Sequence, residues 1–296
     1  MNNIELSKNY VPLLDELYNK EETSSVLNSG EDTIKNGANA GEFLVAKYTI
    51  DGPADYSRNG GYQDGDVSVE WETHKANYDR GRKFSVDTMD NEETEEIAFG
   101  KVAAQYAKTK SAPERDAFTY ATLAGYDGVN GTPETLTSGD DVLNALIREQ
   151  NAMDEEEVAS TRILFITPTK LRQAKNVEKY KSTGVLDEFD EIVEVPQRRF
   201  YTAIDLLDGS SSGEKAGGYR KHIADSEKVG DVDGKNINFM IVEKSAVIKF
   251  DKHTASDIIV PENNPDADSY IQKFRKYGIT DVYENKVAGI RYSYVN

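Results

Sequence analysis

An α+β fold is predicted for this chain by three observations. Two polar strands of period two bracket a glycine-rich tip between residues 41 and 89, and near residue 90 the pattern turns helical. From about residue 131 helices and apolar strands interleave before further strands close the chain.

Taken in order, residues 4–20 place Val11, Leu14, Leu17 and Tyr18 at helical spacing, which predicts a short amphipathic helix. Residues 21–41 are polar and punctuated by glycine and read as an extended linker. The run "EFLVAKYTI" is a strand; it breaks at "DGPADYSRNGGYQDGD" and resumes as "VSVEWETHKANYDRGRKFSVD", where Val67, Val69 and Trp71 alternate with Ser68, Glu70 and Glu72. A two-stranded hairpin of this kind is marginal alone, so it needs another surface to lie on. Gly60, Gly61 and Gly65 are expected to supply turn conformations at its tip, with Tyr62 as the nearest apolar anchor.

Beyond Asp90, a plausible N-cap, Phe99, Val102, Ala103 and Tyr106 fall at i, i+3, i+4 and i+7. Pro113 is expected to kink or divide this helix, and Gly125 and Gly128 to end it. The segment 132–236 reads as a compact α/β unit: a helix at "GDDVLNALIREQNAM", the strand "RILFIT", a helix from Pro168, the strands "FDEIVEVP" and "RRFYTAIDLL", and a polar, glycine-rich surface loop. Strands at "INFMIVEKSAVIKF" and "DIIVP", a helical or turn segment at "DADSYIQKFRKYG", and the alternating "TDVYENKVAGIRYSYV" complete the chain.

Only 38% of the 296 residues are apolar and 30% are charged, so much of the chain is surface or is buried by other subunits. The balance of 35 basic against 53 acidic residues gives a net charge of -18, which argues against sequence-independent binding of nucleic acid. Without cysteine there is no disulfide framework and no thiolate metal site. No segment reaches the roughly 18 consecutive apolar residues of a membrane span, and the expectation is a soluble chain made in the cytoplasm.

Chemical motifs are scarce. His74, His222 and His253 lie far apart and form no zinc-binding pair, so they read as surface or hairpin histidines. The run "GSSSGEK" at 209–215 lacks the spacing of a phosphate loop, and "DVDGKN" at 231–236 lacks the glycine and glutamate of a calcium loop. Residues 154–157, "DEEE", read as a solvated acidic segment. Arg80 and Arg82, near Asp79 and Asp87, are open to two readings: charge-assisted bonds across a subunit contact, or ordinary surface pairs. No catalytic, cofactor or metal residues are assigned.

The runs "NIELSKNYVPLLDELY", "YSRNGGYQDGDVSVEWETHKANYDRGRKFSVDTMDNEET", "VPQRRFYTAID" and "INFMIVEKSAVIKFDKH", in this order, carry a resemblance over almost the whole chain. The sequence resembles the major capsid proteins of tailed bacteriophages, of the Hong Kong 97-type fold, and is most similar to the branch found in phages and prophages of Gram-positive bacteria. The resemblance implies an N-arm over 1–40, an extended E-loop hairpin over 41–89, and a P domain with its spine helix over 90–130. An A domain over 131–236 and a return to the P-domain sheet over 237–296 follow. It implies a structural, non-enzymatic subunit of an icosahedral virion capsid, synthesised in the bacterial cytoplasm. Such a subunit assembles with itself into hexamers and pentamers around double-stranded DNA that it does not bind tightly. Gly60, Gly61, Tyr62, Trp71, Arg80 and Arg82 are the expected subunit-interface residues.

Some members of that family weld their shells through an E-loop lysine. The tip "SRNGGYQDGD" has none, since Lys47, Lys75 and Lys83 lie nearer the base, so a non-covalent shell is expected. Separate scaffolding and portal proteins are expected partners. Two other functions compete: an encapsulin-like shell around an enzyme cargo, and a carbohydrate-active enzyme, against which the long hairpin and the missing secretion signal weigh.

Overall fold

The computed structural model describes residues 22–29, 34–36, 41–58, 60–89, 105–225 and 230–296. In chain order the strands are β1 (Ile34–Asn36), β2 (Glu42–Ile50), β3 (Val67–Lys75), β4 (Tyr78–Asp87), β5 (Asn130–Pro133), β6 (Arg162–Ile166), β7 (Glu191–Glu194), β8 (Ile204–Leu207), β9 (Gly218–Lys221), β10 (Ile237–Glu243), β11 (Val247–Ile259), β12 (Ser269–Val282) and β13 (Ile290–Tyr294). Among the described residues the α-helices are α1 (Ala112–Ala124), α2 (Gly139–Glu155), α3 (Pro168–Lys175) and α4 (Lys179–Leu186).

Two strands that are buried along their whole length, β6 and β10, pair antiparallel at the centre of a five-stranded mixed sheet ordered β5-β13-β10-β6-β7. Burial on both faces explains their nearly unbroken apolar sequences. Ile163 and Phe165 face one layer with Tyr120 and Leu123 of α1, while Leu164 and Ile166 face Val142 and Leu146 of α2 and Leu171 of α3. Each such side chain contributes about 1.5–3 kcal/mol by leaving water. At the start of α2, Ser138 and Asp141 form a reciprocal capping box. Asp141 also accepts from Thr137, and these bonds bring its carboxyl down to about 2.

A second, three-stranded sheet has the order β11-β12-β4, and a third has the order β1-β2-β3. The strand expected over 67–87 is therefore two strands, because the chain turns at Ala76 and Asn77 and leaves one sheet for the other. The segment 237–296 is likewise shared: β10 and β13 complete the five-stranded sheet, and β11 and β12 build the three-stranded one.

The helical or turn segment expected at 266–278 is strand β12. Its Gln, Lys and Arg residues suit a helix, but β4 and β11 pair with it on both edges and that tertiary pairing overrides propensity. Pro113 does not divide its helix. The run from 105 to 124 is continuous because Ala107–Ser111 winds as a π turn, with the Ala112 amide reaching back to the Ala107 carbonyl, which makes room for the proline. Gly125 caps α1 and Gly128 follows with φ of 87°. The polar stretch after β8 includes β9, which pairs with β8. The helix expected at 4–20 and the positions Phe99, Val102 and Ala103 lie outside the described residues.

Candidate assembly surface

The β2–β3 hairpin uses its two faces differently. In antiparallel register Phe43 stands opposite His74 and Val45 opposite Glu72; this face is the foot, where Phe43 and Val45 are buried against Ile248 and Ile279 of the neighbouring sheet. Successive strand residues point to opposite sides, so the partners one step along belong to the other face. There Ile50 stands opposite Val67 and Ala46 opposite Trp71, with Val69 between the two pairs. Ile50 is 68% exposed, Val67 66%, Val69 50% and Trp71 45%. A row of large apolar side chains thus points away from the sheet on which the hairpin stands.

At the tip, Ser57 and Gly61 exchange backbone hydrogen bonds of 3.2 and 2.7 Å. Gly61 is left-handed, with φ of 76°; Gly60 and Gly65 are not, so only one of the three tip glycines supplies a turn that other residues adopt at a cost. Tyr62 is 88% exposed and its ring lies 5.0 Å from that of Tyr56. The hairpin's exit is pinned by Asn77, which donates to the Thr280 carbonyl at 2.6 Å and accepts from the Thr280 amide at 3.0 Å.

Three consecutive buried charges at the start of α1 tie the other parts together. Glu114 accepts from Arg80 of β4 at 2.7 Å. The Arg115 guanidinium reaches Asp251 of β11 at 2.8 Å and the Thr280 hydroxyl of β12 at 2.9 Å. Asp116 accepts from the Thr23 and Ser24 amides at 3.0 and 2.9 Å and pairs with Arg199 at 3.0 Å.

Beside them Glu22, wholly buried, pairs with Lys249 at 3.4 Å and with Lys276, and Lys276 also meets Asp251 at 3.1 Å. Burial pushes the Lys249 ammonium down, whereas at Lys276 the opposing pull of Glu22 and Asp251 outweighs burial and raises it. The segment 22–29, expected as linker, is thus an anchored strap in which Leu27 is also buried. Sequence reasoning missed it because a run with only Val26 and Leu27 among polar residues carries no periodicity. The one signal available was "ERD" directly after Pro113, three charges in a stretch that must face a core.

Arg80 and Arg82 make their bonds inside the chain. Besides Glu114, Arg80 donates to the carbonyls of Leu207 and Gly218 at 2.8 and 3.2 Å, and Arg82 donates to that of Lys215 at 2.8 Å. Both dock the β8–β9 hairpin onto β4, since they point from β4 toward the helix side of their sheet, where that hairpin lies. The serine run after β8 wraps Asp208, which accepts from the Ser210 and Ser211 amides at 2.7 and 2.8 Å and is not a phosphate loop. Within "DEEE", Asp154 pairs with Arg162 and Glu156 with Arg291, each at 2.6 Å. Among the described residues no group of three or more metal-ligating side chains comes together, and no helix is long and apolar enough to cross a membrane.

No protein-family profile and no curated protein matches the chain. Solved structures do. One titled Gordonia phage Cozz aligns with a TM-score of 0.57 at 11% identity, over 93% of this chain and 87% of that one. The asymmetric unit of the bacteriophage PhiM1 mature capsid aligns at 0.56 and 10% identity, over 87% and 82%. A virus-like particle from Pyrococcus furiosus aligns at 0.52 and 11% identity, over 99% and 100%. At such identities the likeness is one of architecture, and the architecture of this chain is the Hong Kong 97-type fold of tailed-phage capsid proteins.

Proposed function

We propose that this chain is the structural subunit of an icosahedral phage or prophage capsid, building hexamers and pentamers that enclose double-stranded DNA. The observation that carries this reading is the outward apolar face of the β2–β3 hairpin, Ile50, Val67, Val69 and Trp71. An exposed apolar row on a two-stranded projection is an interaction surface, and a second copy of the chain supplies its cover through closed symmetry. Tyr62 and Gly61 at the tip extend that contact, whereas Arg80 and Arg82 shape the subunit itself. The net charge of -18 fits a wall that holds DNA without adhering to it. The subunit needs no catalytic group, and scaffolding and portal proteins are its further partners.

Light scattering tests the reading through Val69→Asp and Trp71→Asp. Large assemblies formed by the wild type are expected to be lost in both variants, while thermal unfolding of the isolated subunit stays unchanged. Undiminished assembly, or early unfolding of the variants, would place the apolar row inside its own molecule.

The weaker second reading is an encapsulin-like shell around an enzyme cargo, and the end-to-end alignment with the Pyrococcus furiosus virus-like particle is what keeps it beside the first. Nucleic acid inside purified shells favours the first reading, and a co-purifying protein inside them the second.

A further inference from the structure

The foot of the hairpin rests on one buried imidazole. His74 of β3 is 8% exposed, and its Nδ1 lies 2.8 Å from Asp281 Oδ2 of β12. Its Nε2 is buried without a hydrogen bond and stands 3.7 Å from Glu72 Oε2. Only the charged ring suits both sides of this setting. A neutral ring that keeps its Nδ1 proton for Asp281 would turn the Nε2 lone pair toward the Glu72 carboxylate in a place water does not reach. It would also lose the attraction of opposite charges toward Asp281 and Glu72, keeping only a neutral donor's bond to the Asp281 carboxylate.

The surroundings reinforce this. The Tyr126 hydroxyl is raised first by burial and then by the carboxylates of Asp281, Glu72, Glu284 and Asp127. Lys47 of β2 pairs with Glu284 at 2.7 Å in solvent, and Lys252 of β11 lies over the Phe43 ring at 5.4 Å. Lys47 and Lys252 are thus engaged at the margins of the foot, and Lys286 donates to Ser245 and lies over the Tyr283 ring. Besides His74 the foot is fastened by Phe43 and Val45 packed against Ile248, Ile279 and Phe250, by the Lys47–Glu284 pair, and by Asn77 at the exit.

We propose that His74 is a proton-operated latch: its charged ring binds the foot of the β2–β3 hairpin to β12, and its neutral ring releases the foot while the rest of the fold stays closed. The hydrogen bond to Asp281 raises the imidazole against the effect of burial. A raised histidine stabilises fully below its unfolded value of about 6.5 and loses that contribution as pH climbs through its folded value. The hairpin is therefore held in mild acid and freed toward alkaline pH. The device works in a single chain, so its test does not depend on assembly. His222 offers an internal control, because it bridges Asp205 at 2.5 Å and Asp231 at 2.9 Å in the β8–β9 region rather than at the foot.

Amide exchange in the isolated subunit tests the latch, followed from about pH 5.5 to about pH 8.5 and normalised at each pH to the rates of unstructured peptide. Protection over residues 42–47 and 70–75 is expected to fall severalfold with rising pH while β10 holds constant. His74→Gln should flatten that response, Asp281→Asn should move it to lower pH, and His222→Gln should leave it in place. A foot whose protection tracks β10 at every pH, or a response that survives His74→Gln, would overturn the proposal. Should His74→Gln fail to fold, the wild-type ring's own NMR titration decides: a midpoint above about 6.5 sustains the latch, and one at or below it overturns it.

Discussion

Glu22 shows how much one side chain holds in this protein. It is the buried counter-ion of Lys249 and Lys276, and the strap it belongs to also satisfies Asp116 of α1. Removing Glu22 takes the buried counter-ion from Lys249, while Lys276 keeps Asp251, so Glu22→Gln is expected to cost about 3–5 kcal/mol in denaturant unfolding. Lys47→Ala, which deletes a solvent-exposed pair, should leave the midpoint nearly unmoved. Acid should expose the same cluster. Burial pushes the Asp251 carboxyl up, but Arg115, Lys276 and Lys249 together hold it below the ordinary carboxylate range. A depressed carboxylate stabilises fully above its unfolded value near 3.9 and loses that contribution as pH falls through its folded value. Urea midpoints of the wild type should therefore drop below about pH 4 more steeply than those of Asp251→Asn, which starts lower; parallel profiles would exclude Asp251 as the group responsible.

Secondary-structure elements were legible where local pattern and tertiary setting agree. The apolar runs of β6 and β10 and the capping box of α2 are such cases, since burial on two faces and an N-terminal serine leave direct marks in sequence. Legibility failed where a distant partner decides: β12 carries helix-favouring residues yet lies between two strands, and the π turn before Pro113 answers to a proline that alone argues for a break. For the assembly surface, the alternation of Val67, Val69 and Trp71 was visible in sequence, but which face stands on β11 and β12 follows only from the register of Phe43 and His74. One helix end breaks the usual rule. Glu157, just past α2, is left-handed with φ of 54° where glycine is the common choice. Glu157→Gly is expected to raise stability by about 1 kcal/mol in thermal unfolding, and a loss would mean that its carboxylate holds something in place.

At the scale of the molecule, the function we propose for a -18 chain with a packed α/β unit, a second sheet of β11, β12 and β4 and a projecting hairpin arises by repetition, through many weak contacts fixed by symmetry. The tip between β2 and β3 contains no lysine, so those contacts are expected to stay non-covalent. Denaturing electrophoresis of assembled particles should then give one band near 33.0 kDa or slightly below, and heat-stable multimers would refute the lysine argument. The central claim, that this chain builds a shell, is tested most directly by electron microscopy of the purified protein at increasing concentration, with and without its co-expressed partners. Closed particles of uniform diameter with five- and six-fold clusters are expected; isolated subunits under every condition would contradict the account.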